Sequence, residues 1–254
     1  MTRDAKTRFT SRVENYVLYR PGYPPAVLET LQQVCGLAPE HVVADIGSGT
    51  GILSRLLLEN GNRVYGVEPN AAMRAESERQ LLAYPGFTSL DGSAEDTGLP
   101  ADSIDLVTAA QAFHWFDPGP TRQEFARILR PSGWVALVWN ERQEATTPFL
   151  QAYEDLLLRF GTDYATVRHR HYSDEKLLAF FDAGASLYRF ANQQSFDYAG
   201  LEGRLRSSSY SPEAEHPNFA PMLAELHRIF DAHQQDGRVD FLYNTVLYLG
   251  RLTG

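Results

Sequence analysis

A glycine-rich segment carries the clearest chemical signal in this chain. Its sequence is Asp45-Ile46-Gly47-Ser48-Gly49-Thr50-Gly51. It ends an apolar run of strand length and leads into a helix-like segment. Glycines at such a turn let the chain reverse sharply, and they remove Cβ atoms that would hold a ligand away from the backbone amides. The segment therefore predicts a binding site for a nucleoside or amino-acid group, although glycines that serve only the turn are the structural alternative.

The glycine spacing separates this segment from two other ligand-binding loops. A dinucleotide-binding loop would have glycine at position 52, where this chain has Ile52, and the Gly-Lys-Ser/Thr of a P-loop is absent. Glu68 closes the next strand-length run, where a carboxylate can accept hydrogen bonds from both hydroxyls of a ribose. The pattern favours a nucleoside cofactor, and an NAD-dependent oxidoreductase is the alternative that Ile52 opposes.

The elements that position these residues alternate between strand-like and helix-like segments. This alternation is typical of parallel strands joined by crossover helices, so we expect an α/β, Rossmann-like doubly wound sheet. The predicted strands of the core are Val42–Ile46, Arg63–Val67, Phe87–Asp91, Ile104–Ala109 and Trp134–Trp139, the last one after a Pro131-Ser132-Gly133 turn. The predicted helices of the core begin near Ile52, Asn70 and Thr121.

Four regions follow from this pattern. An N-terminal helical segment spans residues 1–40, and the core with the glycine segment spans residues 41–140. A cap, residues 141–237, contains helices and one sheet strand at Ser186–Phe196. Residues 238–254 supply a C-terminal strand at Val239–Leu249, rich in β-branched and aromatic residues. We expect a mostly parallel sheet with this strand antiparallel at its end, plus a helical cap.

Composition restricts the class of partner. With 23 Lys and Arg against 32 Asp and Glu, the formal charge of −9 opposes binding to nucleic acid, and the one basic cluster is Arg168 to His171. No apolar run is long enough to span a membrane, and the polar N-terminal residues do not resemble a signal peptide, so we expect a cytoplasmic protein. The single Cys35 excludes an internal disulfide and a cysteine-rich metal site.

Two further segments complete a resemblance to a known family. They are Tyr19-Arg20-Pro21-Gly22-Tyr23-Pro24 and Ala112-Phe113-His114-Trp115-Phe116. With the glycine segment and Glu68, they resemble the class I S-adenosylmethionine-dependent methyltransferases, over about Tyr16 to Asn140. Within that class the chain looks like the small-molecule branch that includes trans-aconitate methyltransferase-like proteins. The resemblance implies S-adenosylmethionine as the cofactor.

The resemblance also implies which residues contact the cofactor. The glycine segment would lie against its methionine and ribose parts, the loop after the third strand against its adenine, and the loop after the fourth strand against its methionine part. The N-terminal segment, residues 1–40, would cover the cofactor, and Arg20 suits the methionine carboxylate. The implied cofactor residues are Tyr16, Arg20, Asp45, Gly47, Gly49, Gly51, Glu68, Pro69, Ser93, Ala94, Glu95, Gln111 and Ala112.

The acceptor is predicted to bind beside His114, beyond the fourth strand. Methyl transfer needs alignment of the acceptor and exclusion of water rather than a metal, so His114 is either a base or an orienting group. The predicted acceptor residues are Trp115, Trp139, Arg206 and Tyr210. We expect O, N or C methylation of a small molecule, anionic or hydroxylated, beneath a lid. A binding module without turnover is the alternative from another class.

Overall fold

The structure, a computed structural model, describes residues 13–165, 174–181 and 184–252. Its strands are β1 (Val42–Ile46), β2 (Arg63–Val67), β3 (Phe87–Leu90), β4 (Ile104–Ala110), β5 (Leu129–Arg142), β6 (Ala185–Phe196) and β7 (Val239–Gly250). Its helices are α1 (Val13–Tyr19), α2 (Pro25–Cys35), α3 (Ile52–Glu59), α4 (Ala71–Gln80), α5 (Pro118–Ile128), α6 (Pro148–Phe160), α7 (Asp174–Leu178), α8 (Tyr198–Arg206) and α9 (Phe219–His233), with a 3₁₀ turn at Phe113–Trp115.

The strands form one seven-stranded sheet in the order β3-β2-β1-β4-β5-β7-β6. Strands β1 to β5 are mutually parallel, whereas β7 runs antiparallel between β5 and β6. The prediction of a mostly parallel, Rossmann-like sheet with an antiparallel C-terminal strand is therefore confirmed. The strand order reverses between β1 and β4, and such a reversal opens a ligand-binding crevice at the carboxyl ends of the strands.

Alternating side chains of the central strands supply two separate layers of core. Along β5, Val135 and Leu137 pack into the cluster on one face of the sheet, and Ala136 and Val138 pack into the cluster on the other. This is the two-residue period of a strand that is covered on both faces. A third cluster joins α6, α8 and α9 to the first half of β7, so the cap has apolar packing of its own.

Strand β5 is longer than the sequence pattern indicates. It begins at Leu129 rather than Trp134, but its pairing with β4 jumps from Ile104–Leu129 to Leu106–Trp134. The predicted turn at residues 131–133 is thus an irregularity inside a strand, because Leu129 already pairs with β4 before the turn. At its other end β5 continues past Trp139 to Arg142, which carries polar side chains beyond the core.

Helix α8 is a second departure from the sequence pattern. Gly200 and Gly203 lie inside it, and glycine weakens a helix interior by about 1 kcal/mol relative to alanine, so local propensity did not indicate it. The basic cluster at Arg168 to His171 lies outside the described residues. Within the described ranges, the helices are all too short or too polar to cross a bilayer.

Candidate active site

The three glycines of the loop between β1 and α3 all have positive φ but meet different surroundings. A Cβ on Gly47 (φ 68°) would lie 2.6 Å from the Cβ of Ala112, so Gly47 permits close approach of the loop after β4. A Cβ on Gly51 (φ 84°) would lie 2.6 Å from Leu81 Cδ1, so Gly51 serves the start of α3. Gly49 (φ 56°) has no atom within 4 Å of that position. Gly49 therefore faces open space that a ligand can fill.

Asp45 lies beneath this loop. Its side chain is buried, and its two oxygens accept hydrogen bonds from Ser54 Oγ (2.6 Å) and Thr108 Oγ1 (2.9 Å). Burial raises the pKa of Asp45 to about 6, although both hydroxyl groups act in the opposite direction. The carboxylate thus joins the end of β1 to α3 and β4, and this network fixes the floor of the glycine loop.

Glu68 approaches the loop from the end of β2. Its Oε2 accepts a hydrogen bond from the Gly49 amide (3.1 Å), and its Oε1 accepts one from the Asn70 amide (2.8 Å). Burial raises the pKa of Glu68, while these two amides and Arg74 lower it by smaller amounts. Each carboxylate oxygen has a further lone pair, so Glu68 can hold the loop and still accept hydrogen bonds from a ligand.

The opposite wall is the segment that follows β4. Gln111 has a φ of 56°, a left-handed conformation that costs a non-glycine residue about 1 kcal/mol or more. Its amide donates to Val138 O (2.9 Å), and its side chain donates to Asn140 O (3.1 Å), so the end of β5 holds it in place. The 3₁₀ turn that follows brings His114 and Trp115 to the cavity wall.

The N-terminal segment closes the cavity from above. Tyr16 and Arg20 line the cavity, with the Arg20 guanidinium 4.9 Å from the centre of the Tyr16 ring. Arg20 Nη2 donates to Ser207 O (3.0 Å), whereas its buried Nε has no hydrogen-bond partner among the described residues. Asn192 on β6 donates to Gly22 O (2.9 Å), so this segment is also tied to the sheet edge.

These walls enclose one cavity of about 540 Å³. Eleven of the predicted residues line it, namely Tyr16, Arg20, Gly47, Gly49, Glu68, Pro69, Gln111, Ala112, His114, Trp115 and Tyr210. The glycine loop and Tyr210 lie far apart in the chain, yet they border the same space. The volume falls within the range of about 300–1,000 Å³ that small-molecule sites occupy.

The other predicted residues do not line this cavity. They are Asp45, Gly51, Ser93, Ala94, Glu95, Trp139 and Arg206. Ala94 is buried in the core, and Glu95 Oε1 accepts a hydrogen bond from the Asp117 amide (2.9 Å) at the start of α5. Ser93 bonds to Asp96 within its own loop.

Trp139 and Arg206 point away from the cavity because of their positions on one face of β5 and on the outer side of α8. Trp139 faces the core side of β5, where its ring packs against Phe113 and Tyr248. Arg206 lies on the outer side of α8, with 47% of its side chain exposed and a 3.3 Å ion pair to Glu202. Arg204, two residues earlier on the same helix, turns inward and lines the cavity.

The sequence pattern did not predict a group of mostly polar residues that line the rest of the cavity, which we call its polar end. Its walls there include Asn140, Arg142, Glu144, Tyr164, Arg204, Ser209 and Tyr243. Arg142 lies just beyond the predicted end of β5, and Arg204 lies in the unpredicted α8. A β5 extended by three residues would have pointed to Arg142, but no local signal distinguishes Arg204 from a surface arginine.

A family of methyltransferase domains matches residues 44–137 of this chain. An uncharacterized methyltransferase of Mycobacterium bovis is 40% identical over 142 residues, which cover 56% of each chain. This match therefore spans little more than half the length of that relative. An uncharacterized methyltransferase of Schizosaccharomyces pombe is 26% identical over 242 residues, or 94% of this chain and 95% of its own.

Solved structures share the fold. A candidate type II methyltransferase from Anaeromyxobacter dehalogenans superimposes with a TM-score of 0.68 at 24% identity, over 93% of this chain and 100% of its own. Phosphoethanolamine N-methyltransferase 2 of Haemonchus contortus, solved with phosphomonomethylethanolamine and S-adenosylhomocysteine, has a TM-score of 0.57 at 15% identity, over 98% of this chain and 58% of its own. The sheet order and the glycine loop thus agree with the similarity of residues 44–137 to a methyltransferase domain.

Proposed function

We propose that this protein transfers a methyl group from S-adenosylmethionine to a small molecule that is enclosed with the cofactor in one cavity. The observation that carries this proposal is the continuity of the cavity, which reaches from Gly49 and Glu68 to Tyr164 and Tyr210. A donor and an acceptor that share one enclosed space can be aligned without water between them, which is the main requirement of this reaction.

The residues at the glycine end fit the cofactor. The open space above Gly49 admits a nucleoside that carries an amino acid, and Glu68 retains lone pairs for the ribose hydroxyls. The Nε of Arg20 is a buried donor available to the methionine carboxylate. The same fold holds S-adenosylhomocysteine in the Haemonchus enzyme. Asp45 and Gly51 would act through the loop, because they lie beneath and behind it.

The cofactor supplies a methyl group that is already activated on a sulfonium sulfur. The aromatic faces of Tyr16 and Trp115 line the cavity and can stabilise that positive charge by cation–π attraction. His114 lies on the same wall, where an imidazole can orient a hydroxyl acceptor or take its proton. A carboxylate acceptor would need His114 only for orientation, since it carries no proton to remove.

The cap supports an acceptor of small size. Tyr19 on α1 packs against Gly203 on α8, where a Cβ would lie 2.1 Å from the Tyr19 ring. This contact, together with the bond from Arg20 to Ser207, joins the N-terminal segment to the cap above the cavity. The resemblance to the trans-aconitate methyltransferase-like branch agrees with a small acceptor, and the branch itself remains a prediction.

A methyl-transfer assay with radiolabelled cofactor tests the proposal. The panel contains small carboxylic acids, phenols, amines, bulk tRNA and a peptide library. We expect labelling of at least one small-molecule class and none of tRNA or peptides. Labelling of tRNA or peptides alone would contradict the small-molecule assignment. If S-adenosylhomocysteine binds but no acceptor is labelled, the chain is a binding module without turnover.

A further inference from the structure

The cavity contains a concentration of buried positive charge. Arg204 is 5% exposed and the side chain of Arg142 is 11% exposed, and both line the cavity together with Arg20. Glu154 is the one carboxylate among the described residues that forms an ion pair with any of these three arginines. Buried guanidinium groups without counter-ions are costly, so a cavity that collects them is suited to an anion.

Hydrogen bonds of one terminal nitrogen hold the Arg142 guanidinium in place, and the other terminal nitrogen is left as a possible donor to a ligand. Its Nη2 donates to Glu154 and to the hydroxyl of Tyr164 (2.9 Å), and the Tyr164 hydroxyl donates to Glu154 Oε2 (2.6 Å). The Nη1 of Arg142 is buried and has no hydrogen-bond partner among the described residues. A rigid guanidinium with a spare donor is well suited to a planar carboxylate.

Arg204 donates hydrogen bonds to hydroxyl groups. Its Nε donates to Tyr243 Oη (3.1 Å), and its Nη1 donates to Ser208 Oγ (3.0 Å). Hydroxyl groups orient the guanidinium without neutralising it, so its full charge remains available to a ligand. Burial and the charge of Arg204 lower the pKa of Arg20, which is the effect expected of neighbouring cations.

Tyr210 lies among these arginines, with its ring centre 4.8 Å from that of Tyr164. Burial alone would raise the pKa of Tyr210, but the charges of Arg204, Arg142 and Arg20 outweigh burial and lower it. Glu141 and Glu144 also line the cavity, yet neither is among the groups that act most strongly on Arg142, Arg204 or Tyr210. At the Tyr210 hydroxyl, the charges of the three arginines therefore have the larger effect.

We infer that Arg142, Arg204 and Tyr210 form a carboxylate-binding subsite for the methyl acceptor, which is accordingly a small organic acid. This inference rests on the proposed function and names its substrate class. The two guanidinium groups donate charge-assisted hydrogen bonds to the carboxylate, and the Tyr210 hydroxyl donates a third. Because these bonds engage the lone pairs of the anchored carboxylate, a second nucleophilic group of the same molecule receives the methyl group.

Calorimetry on the complex with S-adenosylhomocysteine tests this subsite without requiring turnover. The titrants are small dicarboxylic and hydroxycarboxylic acids, such as succinate and malate, together with the corresponding neutral amides. We expect at least one acid to bind and its amide to bind at least about tenfold more weakly, because the amide lacks the charge that the arginines recognise. Equal affinity of acids and amides, or no binding of any acid, would overturn the subsite.

Arg204→Met is the main variant, because the hydroxyl partners of Arg204 carry no charge that its removal would leave buried. Arg206→Met is the matched control on the same helix, exposed and outside the cavity. Arg204→Met should weaken acid binding about tenfold or more, and Arg206→Met should leave it unchanged. Equal effects of the two substitutions would contradict the proposal.

Tyr210→Phe provides a second variant that retains the ring and should also weaken acid binding, in case Arg204→Met does not fold. S-adenosylhomocysteine affinity is measured in every variant. If the wild type binds neither S-adenosylhomocysteine nor S-adenosylmethionine, the proposed function fails. If it binds the cofactor but no acid, the carboxylate subsite alone is wrong.

Discussion

At the scale of single residues, Gly49 is the position where we expect a side chain to compete with the cofactor. Gly49→Val places a branched side chain in the open space above the loop, so we expect S-adenosylhomocysteine binding to be abolished while the fold persists. Gly36→Val is the matched control, because Gly36 also has a positive φ (66°) and open surroundings but does not line the cavity. Calorimetry measures the affinity of both variants, and thermal unfolding measures the cost of backbone strain in each. Wild-type affinity in Gly49→Val would place the cofactor elsewhere.

We propose that Glu68 both holds the glycine loop and binds the ribose of the cofactor. Glu68→Ala removes an acceptor for the ribose and also frees the Gly49 and Asn70 amides, so we expect cofactor binding to weaken by about 1–3 kcal/mol. Glu78→Gln alters an exposed acid on α4 that does not line the cavity, and it should leave the affinity unchanged. Calorimetry with S-adenosylhomocysteine measures both. An unchanged dissociation constant in Glu68→Ala would remove this carboxylate from the site.

Tyr210 should give the protein a distinctive pH dependence. The guanidinium groups outweigh burial and lower its pKa in the folded state, whereas the unfolded chain has the ordinary value of about 10. Between these two values the unfolded state binds more protons, so the stability that Tyr210 contributes rises with pH. Denaturant unfolding across this pH range should show the rise in the wild type and not in Tyr210→Phe. Superimposable pH profiles would show that the cations do not act on this phenol.

Tyr153 and Tyr164 provide an internal comparison for that titration. Burial raises the pKa of both, so neither should ionise in the window where Tyr210 does. Ultraviolet difference absorbance of the wild type against Tyr210→Phe would follow the single phenol. The comparison tests whether nearby charge, and not burial, decides the direction in which the pKa of Tyr210 is shifted.

At the scale of elements, the contact of α1 with α8 determines how the cavity closes. Gly203→Ala adds a methyl group that would overlap the Tyr19 ring, so α1 must move, and such overpacking typically costs about 1–3 kcal/mol. We expect weaker binding of S-adenosylhomocysteine and a lower melting temperature, even though alanine favours the helix itself.

The pair Tyr19→Ala and Gly203→Ala makes this prediction a double-mutant cycle. Without the Tyr19 ring, the added methyl group has room, so Gly203→Ala should have little effect in that background. The same loss of affinity in both backgrounds would show that Gly203 matters for a reason other than this contact.

At the scale of the whole molecule, one strand links the core to the cap. The side chains of β7 enter all three apolar clusters: Phe241 packs in the cap, Val246 on one face of the sheet and Leu247 on the other. We therefore expect the described core and cap to unfold in a single cooperative transition. Near- and far-ultraviolet circular dichroism should give coincident thermal curves, with the calorimetric enthalpy equal to the van't Hoff enthalpy.

Cofactor binding should raise the melting temperature of the core and the cap together. With S-adenosylhomocysteine at about 100 times its dissociation constant, the stabilisation expected is about 2.7 kcal/mol. A cap that melts separately, at a temperature insensitive to the ligand, would show that β7 does not couple the two parts.

The sequence by itself determined the sheet and the cofactor end of the cavity. The glycine loop, Glu68 and the alternation from Val42 to Val138 are local patterns. Each reflects the backbone conformation or the burial of a short stretch of chain, so it can be recognised without knowledge of distant contacts. The sequence also indicated that His114 belongs near the site, because it follows a strand whose carboxyl end faces the crevice, and the family resemblance implied the same for Gln111. Those residues line the cavity in the structure.

Only the tertiary structure decided the other end. Tyr210 was among the predicted acceptor residues, but Arg142 and Arg204 were not, because they come from a strand extension and an unpredicted helix. The choice of Arg204 over Arg206 depends on the rotation of α8, which packs Leu201 and Leu205 into the cap cluster and Gly203 against Tyr19. Contacts between segments so distant in sequence are set by the packing of whole elements, and therefore local sequence patterns do not contain them.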